Sequence, residues 1–327
     1  MRDATNPTPA ASNPNHNRLA DLGPSEEVDR EGIAESPLAA AAMATAMPKR
    51  RNLWQVLRRQ KLALTGLIIV GFFLLVAIVG PLFAPHGATE QFSAFRLKPP
   101  SRDFIFGNDE FGRDVFSRLI YGARISFQVG IVAVGISSAI GITLGLIGGY
   151  FRGWIDNVLM LFMDVLYAFP TILLAIAIMT ALGSSLVNVM IAIGIVNVPT
   201  FMRVVRGAVL SVRNQTYVEA ANAIGASTGR IMVRHIFPNI TAPLIVHVSL
   251  NFAFAVLAEA SLAYLGLGNK PPSPSWGSMI SSSYQFLQLA PWAALFPGAA
   301  LALTVLGFNL LGDGLRDALD PRLRSEA

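Results

Sequence analysis

The sequence has no cysteine, and only 14% of its 327 residues are charged. Without cysteine the chain forms no disulfide and no thiolate metal site. Soluble domains carry about 25% charged residues, whereas 53% of this chain is hydrophobic. The low charge and the high hydrophobic content together favour a protein that lies in a lipid bilayer.

Two motifs of catalysis are also missing from the sequence. It contains no Gly-x4-Gly-Lys-[Ser/Thr] loop that would bind phosphates and no His-Glu-x-x-His motif that would bind a catalytic metal. The net charge of +5 does not indicate a nucleic-acid partner, because the basic residues flank apolar segments and form no stripe with aromatics between them. We therefore expect no enzyme activity, no bound metal or cofactor and no nucleic acid.

Apolar runs dominate the chain after its first fifty residues. A helix needs about 20 apolar residues to cross a bilayer, and backbone groups in lipid must pair within their own segment. Six segments meet this length, namely 62–84, 125–150, 158–182, 186–202, 240–262 and 291–312. The sequence therefore predicts an all-α, polytopic membrane protein with six transmembrane helices.

The basic residues predict the orientation and the domains. With both termini in the cytoplasm, 18 of the 25 Lys and Arg residues lie inside and seven outside, as the positive-inside rule requires. Residues 1–48 have few aromatic and β-branched residues and are expected to be a disordered cytoplasmic tail. A basic juxtamembrane segment (49–61) follows, then the transmembrane domain (62–322) with a cytoplasmic loop at 203–239, and a C-terminal tail (323–327).

Polar side chains interrupt the apolar segments at a few positions. Such groups cost about 2.5–3.5 kcal/mol at the centre of a membrane and are functional candidates by default. We predict a translocation path that includes Asp164, Pro170, His247, Asn251 and Glu259. Alternatively, Asp164 pairs with a basic residue and Glu259 reaches the membrane interface. His247 and Asn251 are expected to form hydrogen bonds between helices, since two ligands without a third make a poor metal site.

Small and aromatic residues give three further expectations. Gly141, Gly145 and Gly149 recur every four residues, a spacing that lets helix backbones approach closely; we expect packing within the chain, with a subunit interface as the alternative. Pro170 is expected to kink the third segment. Trp276 is expected in the aromatic belt at the membrane interface.

The polar loop between the fourth and fifth segments has the features of a helical hairpin. Thr216 and Glu219 fit a capping box at the start of a short helix, and Gly225 is expected to end that helix with a positive φ. A second short helix follows, and Pro238 is expected to end it before the fifth segment. From the residues alone, the loop either lies on lipid headgroups or contacts a partner protein.

This loop resembles the EAA motif of ABC importer permeases. Glu219-Ala220-Ala221 is followed after three residues by Gly225 and, after nine more, by a four-residue stretch that ends in Pro238. His235 opens that stretch, which is similar to the peptide-permease branch. The resemblance implies a coupling helix that docks on an ATPase, with the coupling residues Glu219, Ala220, Ala221, Gly225, Arg230, Arg234, His235 and Pro238.

Three more segments, 107–126, 259–277 and 309–322, resemble signatures of the second permease subunit of binding-protein-dependent dipeptide/oligopeptide importers. The resemblance implies a bacterial cytoplasmic (inner) membrane protein that forms a heterodimer with a related permease, in contact with membrane lipid. It further implies two ATPase subunits that bind ATP and Mg, and an extracytoplasmic solute-binding protein. This pattern resembles transporters of dipeptides, longer peptides, nickel complexes and glutathione. The alternative is a stand-alone secondary carrier or channel.

Overall fold

The computed structural model describes residues 60–269 and 271–319. Every regular element in these residues is a helix, so the predicted all-α class is confirmed. The predicted tail 1–48, nearly all of the segment 49–61 and the tail 323–327 lie outside the described residues. The division into these domains therefore stays a prediction.

Besides three short 3-10 helices, the described residues form nine longer helices that we number in chain order. They are α1 (Lys61–Val79), α2 (Val115–Phe151), α3 (Gly153–Tyr167), α4 (Thr171–Leu182), α5 (Leu186–Arg213), α6 (Thr216–Ala223), α7 (Thr228–Tyr264), α8 (Trp276–Ser283) and α9 (Trp292–Leu319). Five of these, α1, α2, α5, α7 and α9, are long and apolar enough to cross a membrane. The pair α3–α4 makes a sixth span if it is counted as one, so the structure agrees with the six predicted segments.

The helices α3 and α4 are separated by a bend of 88°. Pro170 lies at this bend, directly before the first residue of α4. Proline has no N–H to donate and disfavours the helical conformation in the residue before it. The predicted kink at Pro170 is confirmed, and it is sharp enough to break the segment 158–182 into two helices.

The long helix α2 packs along α5 through its row of glycines. A Cβ atom on Gly145 would lie 2.6 Å from Cβ of Val205, and one on Gly149 would lie 2.7 Å from Cβ of Val209. Real Cβ atoms do not approach so closely, so only glycine allows this separation of the two helices. The expected packing of the glycine row within the chain is confirmed.

Aromatic side chains fill the centre of the bundle. The rings of Phe252 on α7 and Phe308 on α9 stack with centroids 4.1 Å apart, and Phe127 on α2 lies against both. Trp276 is buried beside Phe127, and its indole N–H donates to the carbonyl oxygen of Leu119 (3.0 Å). The expectation that Trp276 lies in the interfacial belt is therefore wrong, because α8 carries this side chain into the bundle, where its N–H finds a backbone acceptor.

A buried network of charges lies where the loop between α1 and α2 meets the start of α2. The carboxylate of Asp109 accepts from Nε of Arg113 at 2.6 Å, and Arg113 also donates to Glu110 at 3.1 Å. Nε of Arg118 lies 3.4 Å from the same Asp109 carboxylate. The side chain of Asp114 accepts hydrogen bonds from the first turn of α2 and so caps this helix. Buried charges require such partners, and here each arginine lies beside an acid.

Candidate functional site

The polar loop forms a hairpin that consists of α6 and the first turns of α7, residues 216–238. At its turn, Gly225 has φ +78°. The N–H of Ala226 donates to the carbonyl oxygen of Ala221 (3.1 Å), and the N–H of Gly225 donates to that of Asn222 (3.0 Å). This pair of bonds is a Schellman motif, which requires a left-handed residue. The predicted glycine stop is confirmed.

One face of the α6–α7 hairpin is anchored in the membrane bundle. Val218 and Ala221 of α6 pack with Ile231 of α7 against Val205 and Val209 of α5, and all five side chains are buried. Burying one Val or Ile side chain contributes about 1.5–3 kcal/mol. These contacts fix the hairpin to the C-terminal part of α5.

The opposite face of the hairpin exposes apolar and basic side chains together. Ile224 is 84% exposed and Val233 is 67% exposed. Arg230 and Arg234 of the hairpin are also exposed, and Tyr217 is 42% exposed. Neighbouring apolar side chains that reach out from a polar loop are typical of an interaction surface.

The predicted coupling residues divide between these two faces. Ala221 is buried and His235 is half-buried, while the other six are exposed, namely Glu219, Ala220, Gly225, Arg230, Arg234 and Pro238. The contact of these residues with a partner stays a prediction.

The predicted capping box at the start of the hairpin is wrong. Gln215 occupies the cap position of α6, and no side-chain hydrogen bond caps the helix. The helix therefore begins one residue earlier than expected, at Thr216. Glu219 then falls on the fourth helical position, where it does not reach back to the cap amide.

Pro238 does not end the second helix of the hairpin, contrary to the prediction. The helix α7 continues through it, and residues Ile231–Ile236 form a π-helix in which the N–H of Phe237 donates to the carbonyl oxygen of Met232. In an α-helix the ring of Pro238 would collide with the carbonyl of Arg234. We attribute the wider turn to this conflict, since a π-turn moves that carbonyl away.

Two ion pairs tie the bent helix pair to α5. Asp156 accepts from Nε and Nη2 of Arg206, both at 2.6 Å. Asp164 accepts from Arg203 at 2.6 Å, and the guanidinium of Arg203 lies 4.1 Å from the ring centre of Tyr167. Of the two alternatives for Asp164, the structure shows a basic partner. Asp156 was missed, although the sequence shows an acid just before the third apolar segment and a base just after the fourth.

His247 and Asn251 interact with each other on α7. Their side-chain nitrogen atoms Nε2 and Nδ2 lie 3.0 Å apart, and the Asn251 amide also donates to the carbonyl oxygen of His247 (2.9 Å). The expected hydrogen bonds therefore form within one helix rather than between helices. The ring of His247 also contacts that of Phe201 on α5, with centroids 4.6 Å apart. No group of three or more metal-ligating side chains occurs in the described part of the chain.

Glu259 lies inside the protein and has no exposed surface. The hydroxyl groups of Ser126 on α2 and Ser275 at the start of α8 approach its carboxylate, but neither oxygen meets hydrogen-bond geometry. The alternative in which Glu259 reaches the membrane interface is wrong, because α8 covers this part of α7. Serine hydroxyls at Ser126 and Ser275 gave no sequence signal, since they lie far from Glu259 along the chain.

The five predicted path residues are not joined by a hydrogen-bonded network in the described part of the chain. Within residues 60–269 and 271–319, no hydrogen bond or ion pair joins Asp164, Glu259 and the His247–Asn251 pair to one another. Asp164 is exposed, and Pro170 is exposed at the bend. Their place on a translocation path stays a prediction.

Comparison with protein families gives two matches along the chain. Residues 141–325 match the model described as "Binding-protein-dependent transport system inner membrane component". Residues 50–100 match the model of the N-terminal TM domain of oligopeptide transport permease C. The two matches together cover most of the transmembrane part.

Individual relatives are similar over nearly their whole length. The dipeptide transport system permease protein DppC of Alkalihalophilus pseudofirmus is 50% identical over 281 residues, which cover 86% of this chain and 92% of the relative. The glutathione transport system permease protein GsiD of Escherichia coli O6:K15:H31 is 46% identical, with 83% and 90% covered. GsiD of Pectobacterium atrosepticum is 43% identical, with 84% and 92% covered.

A solved structure shares the fold. It shows inward-facing conformations of the MetNI methionine ABC transporter and superposes with a TM-score of 0.53 at 16% sequence identity. The match covers 62% of this chain and 97% of the other. At this identity the likeness concerns the arrangement of the helices alone.

Proposed function

This chain belongs to the family of binding-protein-dependent transport system inner membrane components, the permeases of ABC importers, and from that premise we propose that it forms one half of the membrane pathway of an ATP-driven importer. It is a multi-pass protein of the bacterial cytoplasmic (inner) membrane. The relatives named above are permeases for dipeptides and for glutathione, itself a short peptide. Short peptides or related small solutes are the cargo that we propose.

The observation that carries this proposal is the two-faced α6–α7 hairpin. Its buried face, with Val218 and Ile231, is joined to α5, and its exposed face presents Ile224 and Val233 among basic side chains. A surface of this kind suits a groove on a partner, because it buries apolar area and places cations at the rim. The partner we propose is an ATPase subunit, whose closure on ATP moves the hairpin and, through it, α5.

The remaining subunits follow from the same proposal. The sequence has no phosphate-binding loop, so we place ATP and Mg on two partner ATPases and no cofactor on this chain. A related permease supplies the other half of the pathway, and an extracytoplasmic binding protein delivers the solute. Transport then consists of a shift between inward-open and outward-open states that ATP binding drives.

We retain the predicted path through Asp164, Pro170, His247, Asn251 and Glu259. Asp164 is accessible in the structure, and its pair with Arg203 gives it a partner to exchange for a solute group. Glu259 has no exposed surface, so it reaches a solute only in a state where α8 has moved.

The proposal is tested by co-purification with ATPase subunits and by solute-stimulated ATP hydrolysis in proteoliposomes. Ile224→Asp places an unpaired charge on the exposed face of the hairpin without disturbing the buried one. Since burying the Ile side chain is worth about 1.5–3 kcal/mol, and 1.36 kcal/mol is about tenfold, we expect stimulated hydrolysis to fall at least about tenfold.

The matched control is Ile105→Asp, at a position that is 54% exposed in the loop between α1 and α2. This variant should retain ATPase binding and stimulation. Normal coupling in Ile224→Asp would contradict the proposed docking surface. Uptake driven by an ion gradient, in vesicles that contain this chain alone, would instead support the stand-alone carrier.

A further inference from the structure

A groove of about 460 Å³ opens between α5, α7 and α9. Most of its walls are apolar, and its lining residues are Val204, Ala242, Pro243, Val246, His247, Leu250, Arg316 and Leu319. From Ala242 to Leu250 the groove follows nine residues of α7, a distance of about 12 Å along the helix axis. The groove is therefore long, narrow and apolar along most of its length.

One charged side chain lies in this groove. Arg316 is exposed on the last turns of α9, and no ion pair involves it among the residues that the structure describes. The acids Asp313 and Asp317 lie on the same helix, but neither lines the groove. His247 is the other polar group, and it already interacts with Asn251. Among the described residues, the groove thus offers one guanidinium without an ion-pair partner beside an apolar wall.

The guanidinium of Arg316 and the apolar wall at Leu250 lie at different levels along the helices. A Cβ atom on Gly312 would contact Leu250, so these residues are level, and Arg316 lies one helical turn further toward the end of α9. The hairpin marks the same end of α7. The guanidinium therefore lies nearer the hairpin side of the membrane, and the apolar wall at Leu250 lies deeper.

We propose that this groove binds one anionic phospholipid, with its phosphate at Arg316 and an acyl chain along the apolar face of α7. Basic pockets between helices on the cytoplasmic side of a membrane recognise anionic headgroups, and the cytoplasmic leaflet is rich in them. The bilayer itself supplies the ligand at this depth. The proposal rests on the proposed function in one respect, the choice of leaflet, because that function places the hairpin in the cytoplasm.

The test measures lipid that the full-length chain retains. The protein is reconstituted into nanodiscs of phosphatidylcholine with a minority of phosphatidylglycerol, extracted gently, and analysed by native mass spectrometry. We expect one retained phosphatidylglycerol. Arg316→Gln should lower its retention about fivefold, the factor that corresponds to about 1 kcal/mol for one basic residue near the surface.

A second variant keeps the charge and fills the groove. Ala242→Phe should abolish retention although Arg316 is present. The matched controls are Arg152→Gln, at an exposed arginine between α2 and α3, and Ala139→Phe, at an exposed position on α2. Both should retain the lipid as the unchanged protein does, and thermal unfolding should show that all four variants fold.

Three results would overturn the proposal. Equal losses in Arg316→Gln and Arg152→Gln would mean general attraction to anionic headgroups. Unchanged retention in both Arg316→Gln and Ala242→Phe would mean that the lipid binds elsewhere. Displacement of the lipid by a transported peptide would assign the groove to the translocation path instead. The lipid assay contains no ATPase, so its result does not depend on whether the chain couples to an ATPase. A failure to retain lipid likewise leaves the test of ATPase coupling unaffected.

Discussion

Arg206 donates to both carboxylate oxygens of Asp156 at 2.6 Å, and this two-point contact connects α3 to α5. The neighbouring pair of Arg203 and Asp164 connects the same helices through one hydrogen bond. The acids differ in exposure, since the side chain of Asp156 is 8% exposed and that of Asp164 is 57% exposed. The two pairs therefore allow a direct comparison of a buried and an exposed contact.

We predict that Asp156→Asn destabilises the protein more than Asp164→Asn. Breaking a fully buried pair costs about 3–5 kcal/mol. The Arg206 side chain is 30% exposed, so water can solvate its guanidinium after the carboxylate is lost. We therefore expect Asp156→Asn to cost about 1–3 kcal/mol. An exposed pair contributes at most about 1 kcal/mol. Thermal unfolding in detergent measures the difference, and equal melting temperatures for the two variants would contradict it.

We predict that substitution by alanine destabilises the protein at Gly225 but not at Gly229. An alanine Cβ at either position would meet no atom within 4 Å, but only Gly225 has a positive φ, of +78°. Gly225→Ala should cost about 1–2 kcal/mol, because L-residues are strained in the left-handed region. Gly229→Ala should be neutral or stabilise by up to about 1 kcal/mol, because Gly229 is helical.

The measurement is again thermal unfolding, combined with solute-stimulated ATP hydrolysis. Gly225→Ala should reduce stimulation while Gly229→Ala retains it. A destabilised Gly229→Ala with a normal Gly225→Ala would mean that the turn of the hairpin differs from the one described.

Much of the fold could be predicted because the signals are local. The apolar segments correspond to the long helices, since lipid imposes helices on such runs. Pro170 and Gly225 act through their own backbone geometry, so their effects could be deduced from sequence. The glycine row of α2 also has a local cause, since only glycine allows a second helix so close.

The features that could not be predicted depend on neighbours distant in sequence. The burial of Glu259 and Trp276 depends on α8, which folds back over α7 and α2. The π-helix at Ile231–Ile236 has a local signal in the sequence. Its buried isoleucines, Ile231 and Ile236, are five residues apart, whereas an α-helix places residues three or four apart on one face. The sequence predicts that Pro238 ends the helix, whereas the buried side chains on both sides of it favour a continuous helix with a wider turn.

The glycine row of α2 offers a test of its close packing against α5. A Cβ on Gly145 would lie 2.6 Å from Val205 and 2.8 Å from the carbonyl oxygen of Met202, while one on Gly135 of the same helix would meet nothing within 4 Å. Gly145→Ala should separate α2 from α5 and cost about 1–3 kcal/mol, the usual range for overpacking. Gly135→Ala should have little effect or a small stabilising one.

Thermal unfolding of the isolated chain distinguishes this packing from a subunit interface. If the glycine row served only a second permease subunit, Gly145→Ala would leave the isolated chain as stable as the parent and weaken co-purification alone. We expect the loss in the isolated chain itself.

The absence of cysteine makes the orientation directly measurable. Ile224→Cys and Ile105→Cys each introduce a single thiol at an exposed position, on the hairpin and on the loop between α1 and α2. If α1 crosses the membrane once, that loop and the termini lie on opposite sides, and the positive-inside rule predicts that the termini lie inside. A membrane-impermeant maleimide should therefore label Ile105→Cys in intact cells and label Ile224→Cys only after permeabilisation. Labelling of Ile224→Cys in intact cells would place the hairpin outside, where ATPases and ATP do not reach it, and would remove the basis for coupling through this surface.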